Sequence, residues 1–325
     1  MMKNIATLNL DPQLEAEISR VSPIKEVARL YDVMHGMQMA LTSFFKYVPA
    51  DVIKLLMRAG YEAKLGGEKR YLTIFFSDIV DFTRISEQLD PETLIDMLGV
   101  YLSEMSNLIL EQQGTVDKYI GDAVMAMWNA PETVLNHAYK ACRCALLSQQ
   151  RLMELREGWK DTHLPAVGAR IGIHTGYASV GNFGSKDRLT YTALGDTVNF
   201  AARLEALNKE FGTEIIISET TYSQVKDQFV CRPLDIVSVT GSGTSSVPMV
   251  VYELIGDYNS VTAEQLSGTE VFTNAFQHYR QGRYSTASRM FKHYLDRYDS
   301  KDIAAHTHIS TCRKSLLRLS VRTGK

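Results

Sequence analysis

The stretch YLTIFFSDIVDFT (71–83) decides how this chain is read. Its first six residues are aromatic, β-branched or otherwise apolar apart from one threonine, the composition of a buried strand. The strand runs directly into Ser77-Asp78-Ile79-Val80-Asp81, which places an acidic residue at the edge of a sheet, where ligands commonly bind. About forty residues later, GTVDKYIGDAVMAMW (114–128) reads as a hairpin turning at Gly121-Asp122. If those strands are neighbours, Asp78 and Asp122 face each other. Two hard oxygen donors at close quarters suit Mg²⁺, which takes one or two carboxylates together with substrate phosphates. Aspartates also favour turns for local reasons. Spacing alone leaves both readings open.

Around this stretch the chain falls into three zones. In residues 1–67 Val27, Leu30, Tyr31, Val33 and Met34, then Met37, Leu41, Phe44, Phe45 and Val48, recur with helical periodicity. Pro49 interrupts the run, Val52 to Met57 resume it, and Leu65-Gly66-Gly67 ends the zone. Such an apolar stripe packs within the chain or forms a dimer seam or signal-transmitting helix. Met34 to Met39 reads as packing.

Residues 68–257 mix strands and helices. Pro91 opens a helix to about Gln112, and a second helix is expected over Thr133–Glu157. Strands are expected near Val167–His174, Ala178–Phe183, Glu214–Ile217, Phe229–Val239 and Val247–Ile255, with a helix starting at Asp196. Hairpins among the helices argue for an α+β sandwich with a largely antiparallel sheet. Residues 258–325 turn helical again, with Phe272, Ala275, Phe276 and Tyr279 before Gly282 and Ala287, Met290, Phe291 and Leu295 after it. This helical hairpin is similar to one tetratricopeptide unit, and a single unit needs a surface to dock on.

The 325 residues are 45% hydrophobic and 22% charged, which excludes a disordered or collagen-like chain. A formal net charge of −2 offers no basic excess for nucleic acid. Four cysteines without a CxxC pair read as reduced thiols. No window approaches the ~18 apolar residues of a membrane span, and the first residues lack a signal-peptide core. A cytoplasmic protein is expected, either on its own or as the cytoplasmic part of a larger membrane-anchored one.

The remaining informative cluster is LTYTALGDTVNFAARLE (189–205), a loop breaking into a helix that carries Asn199 and Arg203 four residues apart on one face. An amide and a guanidinium side by side suit a ribose and a phosphoryl oxygen. Together FFSDIVDFT (75–83), GTVDKYIGDAVMAMW (114–128), RIGIHTG (170–176), VGNFGS (180–185) and YTALGDTVNFAARLE (191–205) resemble the class III nucleotidyl cyclase catalytic domain, in the family's order and spacing. The resemblance spans about residues 68–257. It implies a ferredoxin-like sandwich with a βαββαβ core and additions, here flanked by the N-terminal helix and the C-terminal helical hairpin.

The resemblance further implies a head-to-tail homodimer with active sites at the shared interface, making cyclic AMP and pyrophosphate from ATP. Asp78, Asp122 and the Ile79 carbonyl would hold two Mg²⁺ or Mn²⁺ ions. One ion would activate the ribose 3′-hydroxyl and the other clamp the triphosphate. Backbone amides at Phe82 and Thr83, with the Thr83 hydroxyl, would hold the β- and γ-phosphates. Asn199 of the partner would orient the ribose, and its Arg203 would stabilise charge on the α-phosphate.

Lys118 and Thr192 match the base-reading positions. A lysine donor and a threonine acceptor complement N1 and the N6 amine of adenine, whereas guanine reverses both groups. ATP is therefore expected over GTP, with a guanylyl cyclase as the alternative. The threonine marks a branch that includes members stimulated by bicarbonate. One departure stands out. Where many members carry a triphosphate-binding lysine, Val239 to Pro248 has none, which leaves Arg70, Lys186 or Arg188 to serve the phosphates. It also leaves open a catalytically weak nucleotide-binding regulatory module. His174 reads as a structural strand residue.

Overall fold

The computed structural model describes residues 25–44, 65–160, 164–185, 188–240 and 246–323. The expectations for Phe45 to Met57, for Lys186 and for residues 241–245 lie outside these residues. The chain divides after Ile53. The first unit contains helix α1 (Lys25–Phe44), on which Leu30, Val33, Met37 and Met39 are exposed. Among the described residues no helix is long and apolar enough to cross a membrane.

The second unit is built on β1 (Gly66–Ile79), whose residues Leu72 to Phe75 are fully buried. Alternate side chains of a strand face opposite ways, so Phe75 enters one apolar layer and Ile74 and Phe76 another. A strand apolar on both faces must lie inside a sheet. After it come α2 (Phe82–Gln88), α3 (Pro91–Glu111), β2 (Thr115–Ile120), β3 (Ala123–Trp128), α4 (His137–Trp159) and β4 (Ala169–Gly184). The sheet order is β2-β3-β1-β4 with all three pairings antiparallel, the split arrangement expected of a βαββαβ core.

Helices α3 and α4 cover one face through Met97, Tyr101, Met105, Ala141 and Ala145. Asp90 caps α3, its Oδ1 accepting from Glu92 N at 3.1 Å and Thr93 N at 3.0 Å, with Pro91 at the first helical position.

The other face is covered by β5 (Leu189–Leu194) and α5 (Asp196–Phe211), which bring Ala193 and Ala201 onto Leu72, Ile74 and Met125. Beyond β4 the sheet continues through β6 (Ile215–Ser218), α6 (Glu219–Val225), β7 (Phe229–Thr240) and β8 (Ser246–Asp257), in the order β4-β6-β8-β7. Helices α7 (Ala263–Arg280), α8 (Tyr284–Arg297) and α9 (Ile303–Thr323) pack on β7 and α5 in a second core of Phe200, Leu234, Phe272, Phe276 and Phe291.

Three details differ from expectation. β4 is continuous where two strands are predicted, because Thr175 and Gly176 stay in register with Thr73 and Leu72. α4 starts at His137 rather than Thr133. The Asn129 side chain holds the preceding loop, accepting from Val134 N at 2.8 Å and donating to Tyr71 O at 2.9 Å. Residues 189–194, read as a loop, form strand β5 opposite Ser179 to Gly184, whereas α9, docked through the buried pair Ala304 and Ala305, continues the helical pattern expected over residues 258–325.

Candidate active site

Asp78 is the penultimate residue of β1, opposite Arg170 of β4, and Asp122 sits in the β2–β3 turn beside Gly121, whose φ of +66° favours glycine. β3 pairs directly with β1, Phe76 opposite Met125 and Ser77 opposite Val124, so the β2–β3 turn folds against the end of β1. Asp122 Oδ2 accepts from Ile79 N at 3.1 Å. Asp78 is raised to about 7, first by burial and then by its side-chain hydrogen bond to Asp122 and that group's charge. Arg170 opposes the rise, its Nη2 lying 3.5 Å from Asp78 Oδ2 and its Nε 3.4 Å from Glu205 Oε1.

Asp78 and Glu205 therefore share one guanidinium, with Asp122 beside Asp78, an arrangement short of positive charge. Among the described residues no group of three or more His, Cys, Asp or Glu is poised to enclose a metal. A pair of carboxylates with the neighbouring Ile79 carbonyl is an all-oxygen donor set. It fits Mg²⁺ or Mn²⁺, which keep waters and take substrate phosphates as further ligands.

A second cluster lies on β2 and β5. Lys118 Nζ donates to Thr192 Oγ1 at 3.1 Å. In the order β2-β3-β1-β4-β5 these residues stand four strands apart, about 19 Å across a flat sheet at ~4.8 Å per strand. The contact exists because the β4–β5 hairpin curls back over the face of the sheet, carrying Val180 and Ala193 onto Leu72 and Phe76. Thr192 is buried and Lys118 half-buried.

A third cluster is α5 itself. Gly195, at φ +127°, turns the chain from β5 into the helix, and Asn199 and Arg203 are exposed one turn apart. Arg203 Nη1 donates to Ser238 O of β7 at 2.6 Å. Glu205, about 200° further round the helix, is the residue that meets Arg170 beside Asp78. Within one chain Arg203 is thus turned toward β7 while the acid pair lies on the opposite side of α5. The structure joins Asp78 to Asp122 and Lys118 to Thr192, and holds Arg203 apart from the acid pair.

At the start of α2 the first backbone amides engaged inside the turn are those of Arg84 and Ile85, both bonded to Asp81 O. Phe82 packs its ring against the core and Thr83 is exposed, so Phe82 offers the site its backbone alone. Arg70 is committed elsewhere, donating to Pro131 O at 2.6 Å and Thr133 Oγ1 at 3.1 Å. It is therefore a poor substitute for the missing phosphate lysine. His174 is buried, paired with Ser218 Oγ at 2.8 Å, and lowered to about 4 by that burial. Sequence reading missed Asp117, Arg170 and Glu205, although all three lie inside the quoted motifs.

The model of the Adenylate and Guanylate cyclase catalytic domain matches residues 67–256. The chain belongs to this family. Its cyclase domain runs from β1 to β8, and helices α7–α9 follow the matched residues. The chain is 37% identical over 244 residues to Adenylate cyclase 1 of Rhizobium meliloti, covering 75% of this chain and 36% of that protein. It is 34% identical to an adenylate cyclase of Anabaena cylindrica, covering 64% and 42%. The chain thus spans well under half the length of these relatives.

Among solved structures, the adenylyl cyclase CyaB from P. aeruginosa is 36% identical with a TM-score of 0.55, covering 61% of this chain and all of that one. The guanylyl cyclase Cya2 is 31% identical with a TM-score of 0.54, over 61% and 98%.

Proposed function

We propose that the chain is an adenylyl cyclase that converts ATP into 3′,5′-cyclic AMP and pyrophosphate at sites shared by a head-to-tail homodimer. The observation that carries this reading is the Lys118–Thr192 pair, a donor and an acceptor 3.1 Å apart, the threonine buried and the lysine half-buried. That spacing matches N1 and the N6 amine on one edge of adenine. The adenylate cyclase names of the Rhizobium and Anabaena relatives support it.

In this reading Asp78, Asp122 and the Ile79 carbonyl hold two Mg²⁺ or Mn²⁺ ions. Bound there, the cations supply Lewis-acid activation and charge neutralisation at the reacting oxygens. The amides of Phe82 and Thr83 receive the β- and γ-phosphates. Asn199 of the partner fixes the ribose so that the 3′-oxygen lies in line with the α-phosphorus, and the partner's Arg203 stabilises the charge that gathers there. The bond from phosphorus to the 3′-oxygen forms as the bond to pyrophosphate breaks, and the hydroxyl proton leaves to solvent. Arg203 points away from its own acid pair, as a residue serving a second chain's site would. Residues 1–67 lead into the catalytic domain at 68–257, and residues 258–325 extend it. Thr192 supports a place in the threonine branch, where bicarbonate stimulation is a property to assay.

The test is the purified protein with ATP and Mg²⁺ or Mn²⁺, followed for cyclic AMP and pyrophosphate, with and without bicarbonate. Cyclic AMP is the expected product. Its absence at millimolar ATP refutes the enzyme reading and leaves a nucleotide-binding module. The same assay with GTP tests the guanylyl alternative, which the likeness to Cya2 keeps in play.

A further inference from the structure

Thr192 poses a chemical problem that its position alone does not solve. A hydroxyl both donates and accepts. Left free, it would turn its hydrogen toward the O6 of guanine as readily as it would accept from the amine of adenine. Discrimination needs something to fix the direction of that hydrogen.

The structure supplies it in Asp117. Thr192 Oγ1 donates to Asp117 Oδ2, and Asp117 also accepts from the backbone of Ala193. Lys118 Nζ stands 3.3 Å from Asp117 Oδ1, and the Asp117 side chain is fully buried. Neighbouring side chains of a regular strand point to opposite faces, so Asp117 and Lys118 would normally diverge. Here the β2–β3 register slips between Val116, opposite Ala126, and Lys118, opposite Met125. The extra residue is Asp117. Such a bulge re-aims a side chain, and this one lets both neighbours converge on Thr192.

We infer that Asp117 is a specificity-determining positioning residue: its carboxylate captures the Thr192 hydrogen and so presents that hydroxyl to the base as an acceptor only. In its ionised form, which burial disfavours and the Thr192 bond and the Lys118 ammonium favour, the carboxylate has no hydrogen to give, so the direction of the bond is fixed. Of the two lone pairs left on Oγ1, one takes Lys118 and the other faces the site. An adenine amine satisfies it. A purine bearing a 6-oxo group meets two acceptors pointing at each other, a buried mismatch. The same carboxylate steadies the Lys118 ammonium, whose remaining hydrogens are then available to N1.

This inference rests on the nucleotide-cyclase reading of the Lys118–Thr192 pair, and Asp117→Asn tests it. The amide keeps the shape but has one acceptor, which the Lys118 ammonium claims. Its NH₂ then faces Thr192, and the threonine hydrogen swings out toward the base. Preference for ATP over GTP, and over inosine triphosphate, which lacks the 2-amino group, is expected to fall about 10-fold, one hydrogen bond's worth. Both kcat/KM ratios and affinities for non-cyclising α,β-methylene analogues are read. In a Thr192→Val background Asp117→Asn is expected to leave the ratios unchanged, since no hydroxyl remains to orient.

Unaltered ratios in a folded Asp117→Asn protein overturn the inference, as does an equal change in the Thr192→Val background. If Asp117→Asn does not fold, Asp117→Ser carries the same comparison, because its hydroxyl can donate to Thr192. The binding arm needs no turnover. A chain that prefers the adenine analogue, and loses that preference in the variant, without making cyclic AMP would refute the cyclase reading and uphold the role of Asp117.

Discussion

Burial raises Asp78 to about 7 and lowers His174 to about 4, in each case because it disfavours the charged form. The consequences for stability have opposite signs. Between 3.8 and about 7 the folded Asp78 keeps a proton that the unfolded chain has lost, so its contribution to stability declines as pH rises and is gone above that window. Asp78→Asn is therefore expected to raise the melting temperature at pH 8 without divalent cations and to change little at pH 4. Mg²⁺ is expected to raise the wild-type value at pH 8 but not that of the variant. An asparagine variant no more stable at pH 8 would show that Arg170 already balances the pair. For His174 the unfolded chain takes up the proton first, so stability falls as pH drops from 6.5 toward about 4. His174→Gln, which can still bond Ser218, is expected to flatten that decline when urea midpoints at pH 7 and pH 4.5 are compared. A slope equal to wild type would place the acid sensitivity elsewhere.

Helix α5 shows which parts of an element a sequence discloses. Its start at Asp196, and Asn199 and Arg203 on one face, follow from a glycine turn and a spacing of four. The depth of its seat does not. A Cβ on Gly172 of β4 would lie 2.2 Å from Glu205 N and 2.5 Å from Ala201 O, so the backbone of α5 rests directly on the strand. Because both atoms are backbone, Gly172→Ala must lift the helix rather than rotate a side chain. A stability loss of about 1–3 kcal/mol is expected in chemical denaturation. In the proposed reading, where Arg203 serves the reacting phosphate, displacing it by ~1 Å should lower kcat about 100-fold with KM changed far less. A larger effect on KM would mean that α5 serves binding instead. β2 hides more. VDKYI reads as ordinary alternation, and only the pairing with β3 exposes the bulge that turns Asp117 inward. For the same reason Arg170 and Glu205 were invisible as members of the acid cluster. Their meeting depends on β4 and α5 crossing at Gly172, a contact between residues far apart in sequence.

At the scale of the molecule, the motifs made the sandwich legible because its chemistry-bearing turns are local, whereas the seat of α7–α9 is not. Arg232 reads as an ordinary polar strand residue, yet it is buried between Glu253 and Asp302, bonds Tyr294 Oη at 2.8 Å and lies 4.4 Å from the Phe272 ring centroid. A buried guanidinium needs every one of those partners, and they come from β8, α7, α8 and the start of α9. The proposed assembly beyond one chain draws on geometry of the same kind. Arg203 is bonded to Ser238 while Glu205, on the opposite side of α5, meets Arg170 beside Asp78, so within one copy the guanidinium is held away from its own acid pair. A site made from Asp78 and Asp122 of one copy with Asn199 and Arg203 of another removes the conflict. Asp78→Asn and Arg203→Ala are each expected to be inactive alone. Mixed, they form dimers in which one site carries both lesions and the other neither. Random exchange puts about half the dimers in this state. Each has one working site of two, so roughly a quarter of wild-type activity should return at equal total protein. Recovery should follow the rate of subunit exchange, measured in parallel by energy transfer between labelled copies. If exchange is complete and no activity returns, the two halves of the site do not come from different chains.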